Sequence, residues 1–219
     1  MNFDKNRLRL YAVTDRSWLR GQTLEQQVEA ALRGGVTCVQ LREKQLDREE
    51  FIRLGRRMAE LCRRYGVPLL INDDLEVALA CGADGVHVGQ DDLPVEEVRR
   101  RVGDKLIVGV SAHNPEEARR AYEGGADYLG AGAVFGSTTK TNVTALSHET
   151  LRAICAAVPI PVVAIGGITR ENLPRLAGTG VAGAAVVSAI FAAEDITAAC
   201  RELRALSDAM TQTHNPIGG

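Results

Sequence analysis

The feature that most constrains this chain is a recurrence. Short runs of β-branched and aliphatic residues alternate with longer stretches of helical periodicity along almost the whole sequence. The apolar runs are Leu10–Thr14, Cys38–Leu41, Leu69–Asn72, Gly85–Val88, Ile107–Val110, Tyr128–Gly130, Val162–Ile165 and Ala184–Ser188, eight in all. Each is nearly continuous rather than alternating, the mark of a parallel strand buried on both faces. The intervening stretches carry helix starts. Thr23 and Gln26 stand at capping-box spacing, and Asp47 and Glu50 form its analogue. Asn114 precedes Pro115 at a first helical position, and Ser147 and Asp195 are suited to cap later helices. A weaker repeat marks the joins. Gly34-Gly35-Val36, Cys81-Gly82-Ala83-Asp84, Gly124-Gly125-Ala126-Asp127 and Gly180-Val181-Ala182-Gly183 each end a helix on a left-handed glycine and open a strand.

Eight such units in 219 residues match the compact limit of a (β/α)8 barrel. The competing doubly wound sheet places a glycine-rich fingerprint after its first strand. This chain has Thr14-Asp15-Arg16-Ser17 there. The expected fold is therefore α/β, a single-domain TIM barrel over residues 1–219, with its core at about 8–209 and a loose tail at 210–219.

Composition narrows the function. A formal net charge of −2 lacks the basic excess of a nucleic-acid binder. Five cysteines, at 38, 62, 81, 155 and 200, are odd in number and form no CxxC pair. That argues against a disulfide framework or zinc ribbon and for free thiols in a reducing compartment. The start, MNFDKNRLRL, has no apolar segment of the secretory kind. The apolar stretch from Val181 to Ala193 falls short of the roughly 20 residues that span a bilayer. A cytoplasmic protein with no membrane or nucleic-acid partner is expected, and a homo-oligomer is compatible with a barrel of this size.

In such a barrel the chemistry gathers at the C-terminal ends of the strands. After the second strand, alternation puts Gln40, Arg42 and Lys44 on one side and Leu41 and Glu43 on the other. Two cations and an amide at a barrel mouth suit an anionic substrate; the plainer alternative is a solvated strand end paired with Glu43. After the third and fourth strands come Asn72-Asp73-Asp74 and His87-Val88-Gly89-Gln90-Asp91-Asp92. Carboxylates from adjacent loops, without clustered Cys or His, favour Mg²⁺ shared with a phosphorylated substrate. The alternative is helix capping, in which one Asp of each pair caps and the other binds metal. Spacing alone does not choose between Asp73 and Asp74, or between Asp91 and Asp92. His87 reads as a core histidine and His113, just after Ser111, as a turn residue. After the sixth strand, Ser137, Thr138 and Thr139 beside Lys140 form an anion-binding loop that runs on to about Ser147, long enough for a lid. Gly166-Gly167-Ile168 and Val187-Ser188 follow the seventh and eighth strands, where barrels commonly seat phosphate on backbone amides. Two anion sites imply two phosphorylated small-molecule substrates or one bisphosphate.

Taken together and in order, these segments resemble the thiamine phosphate synthase family. The carriers are Leu10–Asp15, Gln40–Lys44, Asn72-Asp73-Asp74, His87–Asp92, Gly109-Val110-Ser111, Phe135–Lys140, Ile165–Ile168 and Val187–Ile190. The resemblance covers nearly the whole chain. It departs from the family pattern where Gly136 and Ser137 stand in place of Pro and Thr; Ser keeps the hydroxyl. It implies an enzyme that joins a hydroxymethylpyrimidine diphosphate to a thiazole phosphate. It also implies residue roles. Gln40, Leu41, Arg42, Glu43, Lys44 and Asn72 would bind the pyrimidine diphosphate, and Ser111 and Lys140 would contact its diphosphate. Asp73 and Asp92 would hold Mg²⁺. Ser137, Thr138, Thr139, Gly166, Gly167, Val187 and Ser188 would hold the thiazole phosphate. Arg42, Lys44, Lys140 and Ser111 are then the candidate catalytic residues, stabilising charge on the leaving diphosphate. Three alternatives are a thiazole tautomerase on the same barrel, a non-catalytic binder of thiamine intermediates, and a phosphate-sugar isomerase. The first needs neither the diphosphate cations nor the metal carboxylates.

Overall fold

The computed structural model describes residues 3–136 and 145–212. Among them eight parallel strands close into a barrel in sequence order: β1 (Leu10–Val13), β2 (Cys38–Leu41), β3 (Leu69–Asn72), β4 (Gly85–Val88), β5 (Ile107–Ala112), β6 (Tyr128–Gly132), β7 (Val162–Ile165) and β8 (Gly183–Val186). Closure comes from β1 against β8, with Tyr11 opposite Ala185. The helices are α1 (Leu24–Arg33), α2 (Arg48–Arg64), α3 (Leu75–Cys81), α4 (Val95–Val102), α5 (Pro115–Glu123), α6 (His148–Ala157), the short α7 (Ser188–Phe191) and α8 (Ile196–Gln212). Between β7 and β8 the described helical structure is a 3₁₀ turn, Leu173–Leu176.

Each helix start expected from the sequence forms. Thr23 accepts from the Gln26 N–H while the Gln26 side chain returns to the Thr23 N–H, completing the capping box. Asp47, Asn114 and Ser147 accept from the N–H groups of Glu50, Glu117 and Thr150. Asp195 accepts from the Ala198 N–H. Each satisfies an N–H that a helix end leaves without a partner. Three of the four glycine joins hold, with Gly35 and Gly125 both at φ +96° and Gly82 at +72°; the fourth, Gly180 at +95°, follows the 3₁₀ turn between β7 and β8 rather than a helix. Two joins share a further tie. Asp84 accepts from the Leu69 N–H and Asp127 from the Val108 N–H, each 2.8 Å, so the repeated Asp fastens one strand start to its neighbour.

Five expected boundaries shift, on four strands. β1 stops at Val13, β5 reaches Ala112, and β6 reaches Gly132. β8 starts at Gly183 and ends at Val186, because Val187 leaves the extended region (φ −112°, ψ −83°) and Ser188 begins α7. The expected loose tail begins at 210, yet α8 continues to Gln212; residues 213–219 lie outside the described residues.

Alternation along the strands creates two cores. Leu10, Ala12, Val39, Leu41, Leu69, Ile71, Val86 and Val88 face outward into the layer under the helices. Tyr11, Val13, Cys38, Leu70, Tyr128, Val163 and Ala185 face inward. Phe3 and Leu8, before β1, pack on this inner cluster, with Phe3 stacked on Tyr128. They seal the N-terminal end of the barrel. The C-terminal end stays open and carries the site. Among the described residues no helix is long and apolar enough to cross a membrane.

Candidate active site

The cavity at the C-terminal mouth is lined from every strand end. Gln40, Arg42, Asn72, His87 and Ser111 stand on one half, and Gly166, Ile168, Val187 and Ser188 on the other. The inward positions of β2, β3 and β5 thus supply four residues expected from the sequence: Gln40, Arg42, Asn72 and Ser111.

Arg42 is placed by the backbone. Its N–H donates to Thr14 Oγ1 at 3.0 Å, and Thr14 is fully buried. Glu43 is not its partner. Both Glu43 oxygens accept from Arg16 Nε, at 2.7 and 2.9 Å, and the Glu43 side chain is almost wholly buried. Among the described residues Arg42 has no carboxylate partner, so its charge is available to an anion. Leu41 is fully buried and faces the helix layer. Its side chain, like that of Glu43, is not in the cavity wall.

Lys44 stands at the rim, 3.0 Å from Asp73 Oδ2. The two Asp pairs divide as capping and non-capping residues only in part. Asp74 caps α3, accepting from the Val77 N–H at 3.0 Å. Asp73 takes the left-handed conformation, φ +66°, one that costs a non-glycine residue energy. Neither Asp91 nor Asp92 caps α4, whose N-cap is Pro94. Asp92 instead folds back to accept from the Gly89 N–H at 2.7 Å. Burial pushes the Asp92 carboxyl up, and the facing Asp73 carboxylate pushes it further, against the pull of the Gly89 N–H and Lys44. Asp73 and Asp92 are therefore the pair that meets. Among the described residues no group of three His, Cys, Asp or Glu forms a metal site by itself. Two hard carboxylates turned toward one another fit Mg²⁺, which takes one or two protein carboxylates and completes its shell with water and phosphate oxygens.

On the opposite half, Gly166 (φ +105°) and Gly167 (φ +63°) run against the β6 loop. A Cβ on Gly166 would lie 2.5 Å from Ala133 Cβ, and one on Gly167 2.7 Å from the Phe135 carbonyl. Only glycine permits that approach at those angles. Asn172 donates to the Gly167 carbonyl at 2.8 Å and accepts from the Thr169 N–H, which fixes the turn. Ser137, Thr138, Thr139 and Lys140 lie outside the described residues.

The floor holds what the sequence reading missed. Gln40 Nε2 donates to Tyr11 OH, Tyr11 OH meets Tyr128 OH, and Tyr128 OH meets His87 Nδ1, each at 2.8 Å. His87 Nε2 meets Ser111 Oγ at 3.0 Å. Burial holds both phenols well above their ordinary range, so they stay neutral. His87 is buried with both ring nitrogens hydrogen-bonded, as expected of a core histidine, and it also lines the cavity. His113 also lines it, its ring held 2.8 Å from Glu117 Oε2. For Tyr11 the signal was present: between outward Leu10 and Ala12 it must face inward.

The family model for thiamine monophosphate synthase matches residues 10–190. A thiamine-phosphate synthase of Chloroflexus aurantiacus is 52% identical over 199 residues, covering 90% of this chain and 92% of that protein. One from Clostridium tetani is 46% identical over 194 residues, covering 89% and 93%. The solved structure of a thiamine phosphate pyrophosphorylase from Pyrococcus furiosus superposes with a TM-score of 0.85 at 40% identity, covering 94% of this chain and 98% of that one. The chain belongs to the thiamine monophosphate synthase family and is an enzyme of the transferase class.

Proposed function

We propose that this enzyme condenses 4-amino-2-methyl-5-hydroxymethylpyrimidine diphosphate with 4-methyl-5-(2-phosphoethyl)thiazole, giving thiamine monophosphate and diphosphate. The observation that carries this reading is the meeting of Asp73, Asp92 and Lys44 at one rim of a cavity whose wall holds Arg42 and Ser111. A tautomerase acting on one thiazole phosphate has no use for that set.

In this reading Gln40 and Asn72 grip the pyrimidine, and Arg42, Lys44 and Ser111 face its diphosphate. Lys44 exchanges part of its pairing with Asp73 for the incoming phosphates. Asp73 and Asp92 would hold Mg²⁺, which when bound would supply positive charge at the departing oxygens. Arg42 and Lys44, with Lys140, stabilise the same developing charge. The pyrimidine amino group supports a cationic methylene carbon, which favours a dissociative substitution. The Gly166–Gly167 turn, Val187 and Ser188, with Ser137 to Thr139, hold the thiazole phosphate so that the ring nitrogen is aimed at that carbon.

The test is a coupling assay on purified protein with both substrates, with Mg²⁺ or with excess chelator, following thiamine phosphate by fluorescence after oxidation. Product that depends on Mg²⁺ is expected. Folded protein that makes no product overturns the synthase reading and directs the next assay to thiazole tautomerisation.

A further inference from the structure

The chain of hydrogen bonds across the barrel floor has a direction. Gln40 Nε2 is a donor to Tyr11 OH. Each phenol has one proton to give. If Tyr11 gives its proton to Tyr128, Tyr128 gives its own to His87 Nδ1. The ring then carries its proton on Nε2 and donates to Ser111 Oγ, 3.0 Å away. The Ser111 hydroxyl proton is left to point into the cavity. In the opposite sense Ser111 donates to His87, and the Tyr11 proton is left to turn toward the Cys38 thiol, opposite it on the paired strand β2. Sulfur is the weaker acceptor, so the first sense prevails. The geometry holds the path in place. Tyr128 is stacked on Phe3 and set edge-on to Tyr11, and it lies across Gly109, where a side chain would collide with its ring.

We propose that Tyr128 is a positioning residue: through Nδ1 it fixes His87 as the Nε2–H tautomer, so that Ser111 presents a hydroxyl proton, not a lone pair, to the leaving diphosphate. The inference rests on the condensation reading above. It assigns a task to two buried tyrosines that touch no substrate in that reading. It also links Gln40, which binds the pyrimidine, to Ser111, which faces the diphosphate, through one path.

The experiment has two readouts on the full chain. In protein labelled with ¹⁵N-histidine, the His87 signals are assigned by comparison with a His87→Gln variant. Wild type should show a single Nε2–H tautomer, and Tyr128→Phe, which keeps the ring and removes the hydroxyl, should lose it. In the coupling assay Tyr128→Phe should lower kcat roughly 10- to 100-fold, the range for a residue that orients an active group, with KM for the thiazole phosphate within about twofold. The double variant Tyr128→Phe/Ser111→Ala should be no slower than Ser111→Ala alone, because both act through one hydroxyl. A wild-type Nδ1–H tautomer, an unchanged tautomer in Tyr128→Phe, or losses that multiply in the double variant would overturn the proposal. If Tyr128→Phe does not fold, the wild-type tautomer decides by itself: an Nδ1–H ring in active wild type overturns the proposal. Active wild type with the wrong tautomer removes the positioning role alone. Wild type that makes no thiamine phosphate removes the synthase reading.

Discussion

Asp92 carries two opposed demands on one side chain. It closes the turn onto Gly89, and it faces Asp73 in a partly buried place where its charge is disfavoured. Asp92→Asn keeps an oxygen for the Gly89 N–H and removes the repulsion. The metal-free variant should therefore melt slightly higher than wild type, by about 1–2 °C, because a solvent-screened pair is worth under about 1 kcal/mol. Mg²⁺-dependent turnover should collapse. Thermal melts with and without Mg²⁺, beside the coupling assay, check both halves; a lower melting temperature with normal turnover would move the metal role to Asp91. Residue spacing identified four carboxylates but not their division of labour; the family resemblance, not the spacing, singled out Asp73 and Asp92. That division depends on the left-handed turn at Asp73 and on Pro94 taking the α4 N-cap, neither of which residue spacing encodes. Arg42 and Glu43 make the same point. Their adjacency suggests a pair, but Arg16 from the β1 loop takes the carboxylate.

At the scale of elements, the strands were legible because each is an apolar run bracketed by glycine joins and capped helices. The ends were less so. Ser111, Ala112 and Gly132 are weak strand formers, and they extend β5 and β6 because the barrel register pairs Ser111 with Gly130, Ala112 with Ala131 and Gly132 with Ile165. At β8 the unpunctuated run from Ala184 to Ile190 hides the change from strand to helix at Val187. The contact that closes the polar floor was not legible for a related reason, although Gln40, Ser111 and the inward position of Tyr11 were. His87 and Tyr128 stand on β4 and β6, and they meet only because β5 between them presents Gly109 to the interior. Gly109→Ala should therefore cost more than an overpacked methyl elsewhere in the sheet. A loss of about 1–3 kcal/mol is expected from overpacking alone, and further loss as Tyr128 is displaced from His87. Urea denaturation measures the first and the ¹⁵N-histidine spectrum the second. Native stability with an unmoved His87 signal would show that the inner layer has slack that the packing around Tyr128 does not suggest.

For the whole molecule, closure is the property that matters, because a closed sheet has no edge to fray. The cysteines report on it from separate places. Cys38 lies inside the barrel, Cys62 on α2, Cys155 on α6 and Cys200 on α8, where its Cβ fills the space a side chain at Gly34 would need. Burial pushes the thiols of Cys62, Cys155 and Cys200 up to about 12 from 9.0, and that of Cys38 well up as well. The consequence for stability has a definite sign. Below pH 9 the folded and unfolded chains both keep these protons, and stability is at its full value. Above it the unfolded chain releases protons that the barrel retains, so stability falls with rising pH until about 12. Tyr11 and Tyr128 add to the same slope from 10.0 upward. Denaturation midpoints measured in reducing buffer at pH 8, 9, 10 and 11 should drop steadily across the last three. A thiol reagent at pH 8 should label half-buried Cys155 first. Cys38, Cys62 and Cys200 should follow together at a common slow rate, since exposing any of them requires the strand and helix layers to part. A midpoint that stays level to pH 11 would mean that the thiols meet water in the folded state. Three distinct slow rates would mean that the helices leave the barrel one at a time rather than with its opening.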